Sequence, residues 1–123
     1  MATSSRIGKE QENGTVRSIY INWDGYPHGV GKILLSNYQD LQKVEELINL
    51  GDISSLQPEL DQVIAYHRDL NEEYSQPKLY RSIDAFFYSN TSDYGYVMNK
   101  EGVWMYKSGS KRVVDPAPLV EEI

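Results

Sequence analysis

The stretch Asn22-Trp23-Asp24-Gly25-Tyr26-Pro27 stops an alternating extended segment and is followed at once by a helical pattern. The chain must therefore turn from strand to helix here. Gly25 is free to take a positive φ, Asp24 offers a carboxylate to the backbone ahead of it, and Pro27 fixes the exit while biasing Tyr26 away from the α region. Such a loop presents two large aromatics and backbone N–H groups at a strand end. One reading makes it a rigid connection with Trp23 plugging the core; the other makes part of it a ligand loop. Both hold together if Trp23 is structural and Tyr26 meets the ligand.

On either side of the turn the elements are readable from period and punctuation. Asn13-Gly14 between two extended segments predicts a hairpin. Its second arm, residues 16–22, alternates Val16, Ser18 and Tyr20 against Arg17, Ile19 and Ile21. Val30, Ile33, Leu34 and Tyr38 have helical spacing. Residues 40–50 predict an amphipathic helix with apolar Leu41, Val44, Leu47 and Ile48, Asp40 as N-cap and Gly51 at the C′ position. Residues 51–56 read as a connecting turn, 63–67 as a short strand and 68–78 as a polar loop. Ser82 caps a predicted short helix in which Ile83, Phe86 and Phe87 share a face. A second hairpin pairs residues 94–99 with 102–107 around Lys100-Glu101, and residues 116–123 read as a helical or docking tail. The sum predicts one α+β domain spanning residues 1–123, with an antiparallel sheet built from hairpins and two or three helices packed on one face.

Composition narrows the chemistry. There is no cysteine, so disulfides, thiolate metal sites and a Cys nucleophile are excluded. The net charge of −6 argues against a broad DNA- or RNA-binding face, which needs a basic surface. It leaves room for a compact pocket for a phosphorylated small molecule, where two or three local cations suffice. No apolar run approaches membrane-spanning length, and the first residues lack a signal-peptide core, so the cytoplasm is the expected location. Tyrosine stands out, with ten residues against two Phe and two Trp; its apolar body and polar tip suit ligand walls and interfaces.

Several constellations could carry binding. His28-Gly29-Val30-Gly31-Lys32 resembles a glycine-rich turn opening a helix, where backbone N–H groups attract anions, although it is not a P-loop. Arg68 in Tyr66-His67-Arg68-Asp69 has the fork to clamp a phosphate, or else pairs with Asp69 or Glu72. Lys107, Lys111 and Arg112 follow Trp104 and Tyr106 and form the one dense basic cluster, with aromatic faces beside cations. The two histidines lack zinc-ligand spacing, and no nucleophile–base–orienter set assembles. The candidate ligand contacts are Trp23, Gly25, Tyr26, His28, Gly31, Arg68, Phe86, Asn99, Tyr106, Lys111 and Arg112, with no catalytic residue, no metal and no cofactor expected.

Across 14–20, 23–27, 31–35, 43–45, 50–56, 65–69 and 102–106 the chain resembles a family of small phage and prophage proteins that includes the Thoeris anti-defence proteins. Members act as sponges that sequester the cyclic ADP-ribose-type signal made by bacterial TIR proteins, and some also take up cyclic oligonucleotides. The resemblance implies a homodimer or hexamer in the cytoplasm of an infected or lysogenic host. It implies nucleotide pockets near subunit boundaries, and glyco-cyclic ADP-ribose held without turnover so that TIR-based defence is blocked. The chain departs from the commoner pattern in its polar middle, residues 71–81, and in Ile21-Asn22, where many relatives carry Cys-His. The alternative function is an acidic, Tyr-rich phage protein that inhibits a host defence enzyme by direct binding; an enzyme that cleaves the signal has least support.

Overall fold

A computed structural model describes residues 2–109 and 117–119. The chain runs β1 (Ser5–Glu10), β2 (Val16–Ile21), a π-helical turn (Pro27–Gly31), α1 (Lys32–Asn37), α2 (Leu41–Asn49), β3 (Ile53–Ser55), β4 (Ile64–Ala65) and α3 (Tyr66–Leu70). It continues through β5 (Lys78–Tyr80), α4 (Ile83–Ser89), β6 (Tyr94–Met98), β7 (Trp104–Ser108) and β8 (Ala117–Pro118). The fold is α+β, with the strands in one sheet ordered β4-β3-β2-β1-β6-β7-β8 and β5 attached to β2.

Both expected hairpins form. Gly14 and Gly102 take φ of 87° and 82° in their turns. In the first, the Asn13 side chain accepts from the amide and hydroxyl of Thr15. The caps also form as the residue types require: Asp40 accepts from the Gln42 amide, Ser82 accepts from the Ala85 amide, and Gly51 is left-handed at φ 78°.

The sheet is mixed rather than purely antiparallel. β1 pairs with β6 in parallel, Ile7 opposite Tyr96, and Ile53 of β3 pairs in parallel with Ile21. Residues 53–55, expected as turn, are therefore a strand, and so are residues 78–80, which begin at the last residue of the expected polar loop. β3 and β5 divide the outer edge of β2 between them, and the Tyr20 amide left between is taken by the Asp52 carboxylate at 2.9 Å. The described part of the tail extends the sheet along β7, with Leu119 buried and its amide donating to the Trp104 carbonyl.

Helices lie on both faces, not one. On the first face α1 and α2 bury Leu34, Val44, Leu47 and Ile48 against Ile7, Ile19, Ile21, Tyr96, Met98 and Trp104. On the second, α4 sets Phe86 and Phe87 against Val16, Tyr80 and Val97. Gly95 makes this approach possible, because a Cβ there would stand 3.3 Å from the Phe86 ring and 2.9 Å from Asn90 Nδ2. Strand alternation sends odd residues of β1 and β2 to the first face and even residues to the second.

The strand-to-helix turn is locked by contacts that explain its residue types differently from the sequence expectation. Asp24, not Gly25, takes the positive φ, at 58°. Gly25 is required by closeness: a Cβ would sit 2.7 Å from the Ser4 carbonyl group. Its amide donates to Thr3 and its carbonyl accepts from the buried Tyr96 hydroxyl at 2.8 Å. Burial pushes the Tyr96 phenol well above its ordinary pKa, with Tyr94 and Tyr106 adding to the shift. Trp23 does not plug the core; it is 48% exposed, and the buried tryptophan is Trp104, whose indole N–H donates to the Tyr38 carbonyl.

Tyr96→Phe leaves the Gly25 carbonyl buried without its donor. We expect destabilisation of about 1–3 kcal/mol in urea unfolding with the slope unchanged. A change under ~0.5 kcal/mol would mean that this hydrogen bond does not hold the turn.

Candidate functional site

The face covered by α4 is only partly covered. The helix ends at Ser89, and beyond it the even-numbered residues of β1 and β2 open into a cleft of ≈ 240 Å³ whose lining includes Arg6, Tyr20, Lys78 and Tyr80. Strand register assembles it: Arg6 lies opposite Tyr20, Lys78 opposite Ser18, and Tyr80 opposite Val16. Hydroxyls of Ser4, Ser89, Thr91 and Ser92 complete the wall, and among the described residues no carboxylate lines it.

Four of the chain's other cations are taken up in ion pairs. Lys9 and Arg17 pair with Glu45, Lys43 approaches Glu59, and Arg68 pairs with Asp69. Among the described residues neither Arg6 nor Lys78 has a carboxylate partner. One Arg6 nitrogen donates to Ser18 Oγ at 3.0 Å, and its guanidinium lies 6.0 Å from the Tyr20 ring centre. Lys78 Nζ lies 5.5 Å from the ring centre of Tyr80. Arg6 thus keeps donors free in a polar recess, an arrangement suited to an anion with several acceptor oxygens.

Beside it lies a larger open cleft of ≈ 510 Å³, lined in part by Tyr26, Asp93, Tyr94 and Gly109. Thr91 and Ser92 line both clefts. Asp93 accepts from the Ser4 amide at 3.0 Å, and Asn90 Oδ1 accepts from the amide and hydroxyl of Ser92, which fixes the dividing segment. Tyr94 is the outer ring of a stack, 6.5 Å from Tyr96, which lies 6.2 Å from Tyr106.

The residues singled out from sequence are mostly elsewhere. Tyr26 does line the larger cleft and is 41% exposed. Gly25 is buried beneath it, holding the turn rather than facing a ligand. The glycine-rich segment is not an open anion nest, because the Gly29 amide donates to Tyr26 and the Val30 amide to Asp24. His28 is exposed and Gly31 buried there, and neither lines the described clefts. Trp23 is exposed but lines neither.

Four further residues have structural work. Arg68 is consumed: Nε and Nη2 bond Asp69, and Nη2 also donates to the carbonyls of Leu60 and Val63. The Arg68 hydrogen bond, then the Ala65 amide, hold the Asp69 carboxyl below its ordinary pKa, and Arg68 is raised by the same bond. Phe86 is fully buried, edge-on to Tyr80 and Phe87. Asn99 closes the β6–β7 hairpin by accepting from Glu101 and Val103 amides, at the opposite end of β6 from the clefts. Tyr106 sits two rings behind Tyr94 in the stack. Lys111 and Arg112 lie outside the described residues.

Sequence reading missed Arg6, Tyr20, Lys78 and Tyr80. The available signal was the short alternation Lys78-Leu79-Tyr80 after Pro77, which marks a strand able to set Lys and Tyr on one face. Among the described residues no cluster of three or more His, Asp or Glu is placed to hold a metal, and no helix is long and apolar enough to cross a membrane. Fold and clefts together define an α+β domain with a cation-bearing polar recess beside an aromatic one. No protein-family model matches the chain, and no curated protein or solved structure matches it either.

Because Arg68 is spent within the fold, Arg68→Ala should lower the thermal unfolding midpoint while leaving pyrophosphate affinity unchanged. A loss of affinity in a variant that still melts like the parent would return Arg68 to the binding surface.

Proposed function

We propose that the chain binds a cyclic ADP-ribose-type nucleotide and holds it unchanged, sequestering the signal and so blocking TIR-based Thoeris defence in the bacterial cytoplasm. The observation that carries this reading is the recess in which Arg6 and Lys78, both without carboxylate partners, stand among hydroxyls and beside tyrosine rings. A pyrophosphate-bearing ligand supplies the charge those cations lack, and a charge-assisted hydrogen bond contributes about 1.5–3 kcal/mol each. In a protein of net charge −6 such a spot is a local exception, fit for a compact anion and not for a nucleic-acid backbone. The resemblance to sponge proteins supplies the ligand class, and a homodimer or hexamer belongs to the same proposal.

A second reading has one observation of its own. Leu79 on β5 and Tyr88 on the neighbouring α4 are 63% and 79% exposed, as a protein-binding inhibitor would require.

The chain is incubated with the product of a TIR enzyme, separated from free ligand and heat-denatured. We expect intact, active signal in the supernatant. Recovery of a degraded product would overturn sequestration in favour of catalysis, and retention of nothing would overturn it in favour of the inhibitor.

A further inference from the structure

The proposed anion recess and the larger cleft meet along one short segment. Thr91 and Ser92 line both, while Thr3 belongs to the larger cleft and its neighbour Ser4 to the recess. Thr91 on the partition is exposed, and the side chains that line both clefts are hydroxyls. The two sides differ in charge. Arg6 and Lys78 stand in the recess, whereas Asp93 is the ionisable group with a carboxylate in the larger cleft, beside the rings of Tyr26 and Tyr94.

We infer that the two clefts are the halves of one bipartite site, the recess taking the phosphates of a nucleotide and the larger cleft taking its nucleoside. The inference rests on the binding reading above and deepens it by giving each part of the ligand a place. Charge decides the orientation. Phosphate beside Asp93 is repelled, and phosphate beside Arg6 and Lys78 is attracted. Asp93 has an oxygen suited to the hydroxyls of a ribose or the amino group of a base, because a carboxylate only accepts. Tyr26 and Tyr94 offer ring surface to a planar base, an interaction that tolerates any base. Volume agrees with this division, since ≈ 510 Å³ on the nucleoside side exceeds ≈ 240 Å³ on the phosphate side. The ligand class is a nucleoside di- or polyphosphate, or a pyrophosphate-bridged dinucleotide, with the chain of phosphates crossing over Thr91.

Inorganic pyrophosphate and ADP-ribose separate the halves. Calorimetric titration of the full chain should show both binding, ADP-ribose the more tightly. Arg6→Gln and Lys78→Gln should each weaken both ligands by about tenfold, the scale of one charge-assisted contact. Tyr26→Ser should weaken ADP-ribose by about tenfold, the scale of one base–aromatic stack, and leave pyrophosphate unchanged. Tyr26 is exposed, so its variant should melt with the parent, and a melting curve confirms that the protein tested is folded. Equal effects of Tyr26→Ser on both ligands, or no effect on ADP-ribose, would overturn the bipartite site, as would failure of both ligands to bind. The sponge reading fails separately: ADP-ribose binding can persist while the TIR product is released degraded or not retained at all.

Discussion

β1 lies between β2 and β6, antiparallel to the first and parallel to the second, and the parallel pairing decides where nearly everything else falls. Ile7 opposite Tyr96 brings that phenol beneath Gly25, so the strand-to-helix turn is tied to a strand that follows it by most of the chain. Arg6 opposite Gly95 puts the cation on the face that α4 crosses. A side chain at position 95 would push α4 off the sheet, with Phe86 and Asn90 the first atoms met. The recess exists because that helix packs tightly over Gly95 and then ends.

Local chemistry made much of this fold legible in the sequence. The Asn13-Gly14 and Lys100–Gly102 turns, the Asp40 and Ser82 caps and the Gly51 terminus each depend on residues within a few positions, and each forms as their types demand. The alternation of β2 gave the two faces correctly: Ile19 and Ile21 enter one core, Val16 the other, and Ser18 and Tyr20 point toward the recess side. What could not be read was pairing at long range. Nothing in Ile53-Ser54-Ser55 announces a parallel neighbour, and the alternation Lys78-Leu79-Tyr80 does not say which strand it pairs with. The face chosen by α4 follows from Gly95, and that requirement is visible only once β6 is beside β1.

The candidate site was less legible for the same reason. Arg6, Tyr20, Lys78 and Tyr80 are scattered in the chain and meet only through the β1–β2–β5 register. The motif-like stretches are conspicuous in sequence, and most of them are occupied by the fold. Arg68 is a planar donor hub for a carboxylate and two carbonyls, and the glycine-rich segment spends its amides on the turn before it. Of the strand-to-helix turn, Tyr26 lines the larger cleft, while Gly25 and Asp24 serve the backbone.

An acidic chain tends to neutralise its own cations, and Glu45 alone takes both Lys9 and Arg17. Arg6 and Lys78 lie in one recess without a carboxylate partner among the described residues, and that juxtaposition is the physical basis for proposing the patch as a ligand site. Amide chemical-shift mapping of the full chain during titration with inorganic pyrophosphate tests this assignment most directly. The account predicts changes centred on Arg6, Ser18, Tyr20, Lys78 and Tyr80. Changes centred on residues 28–32 or 107–112, with those strands silent, would contradict it.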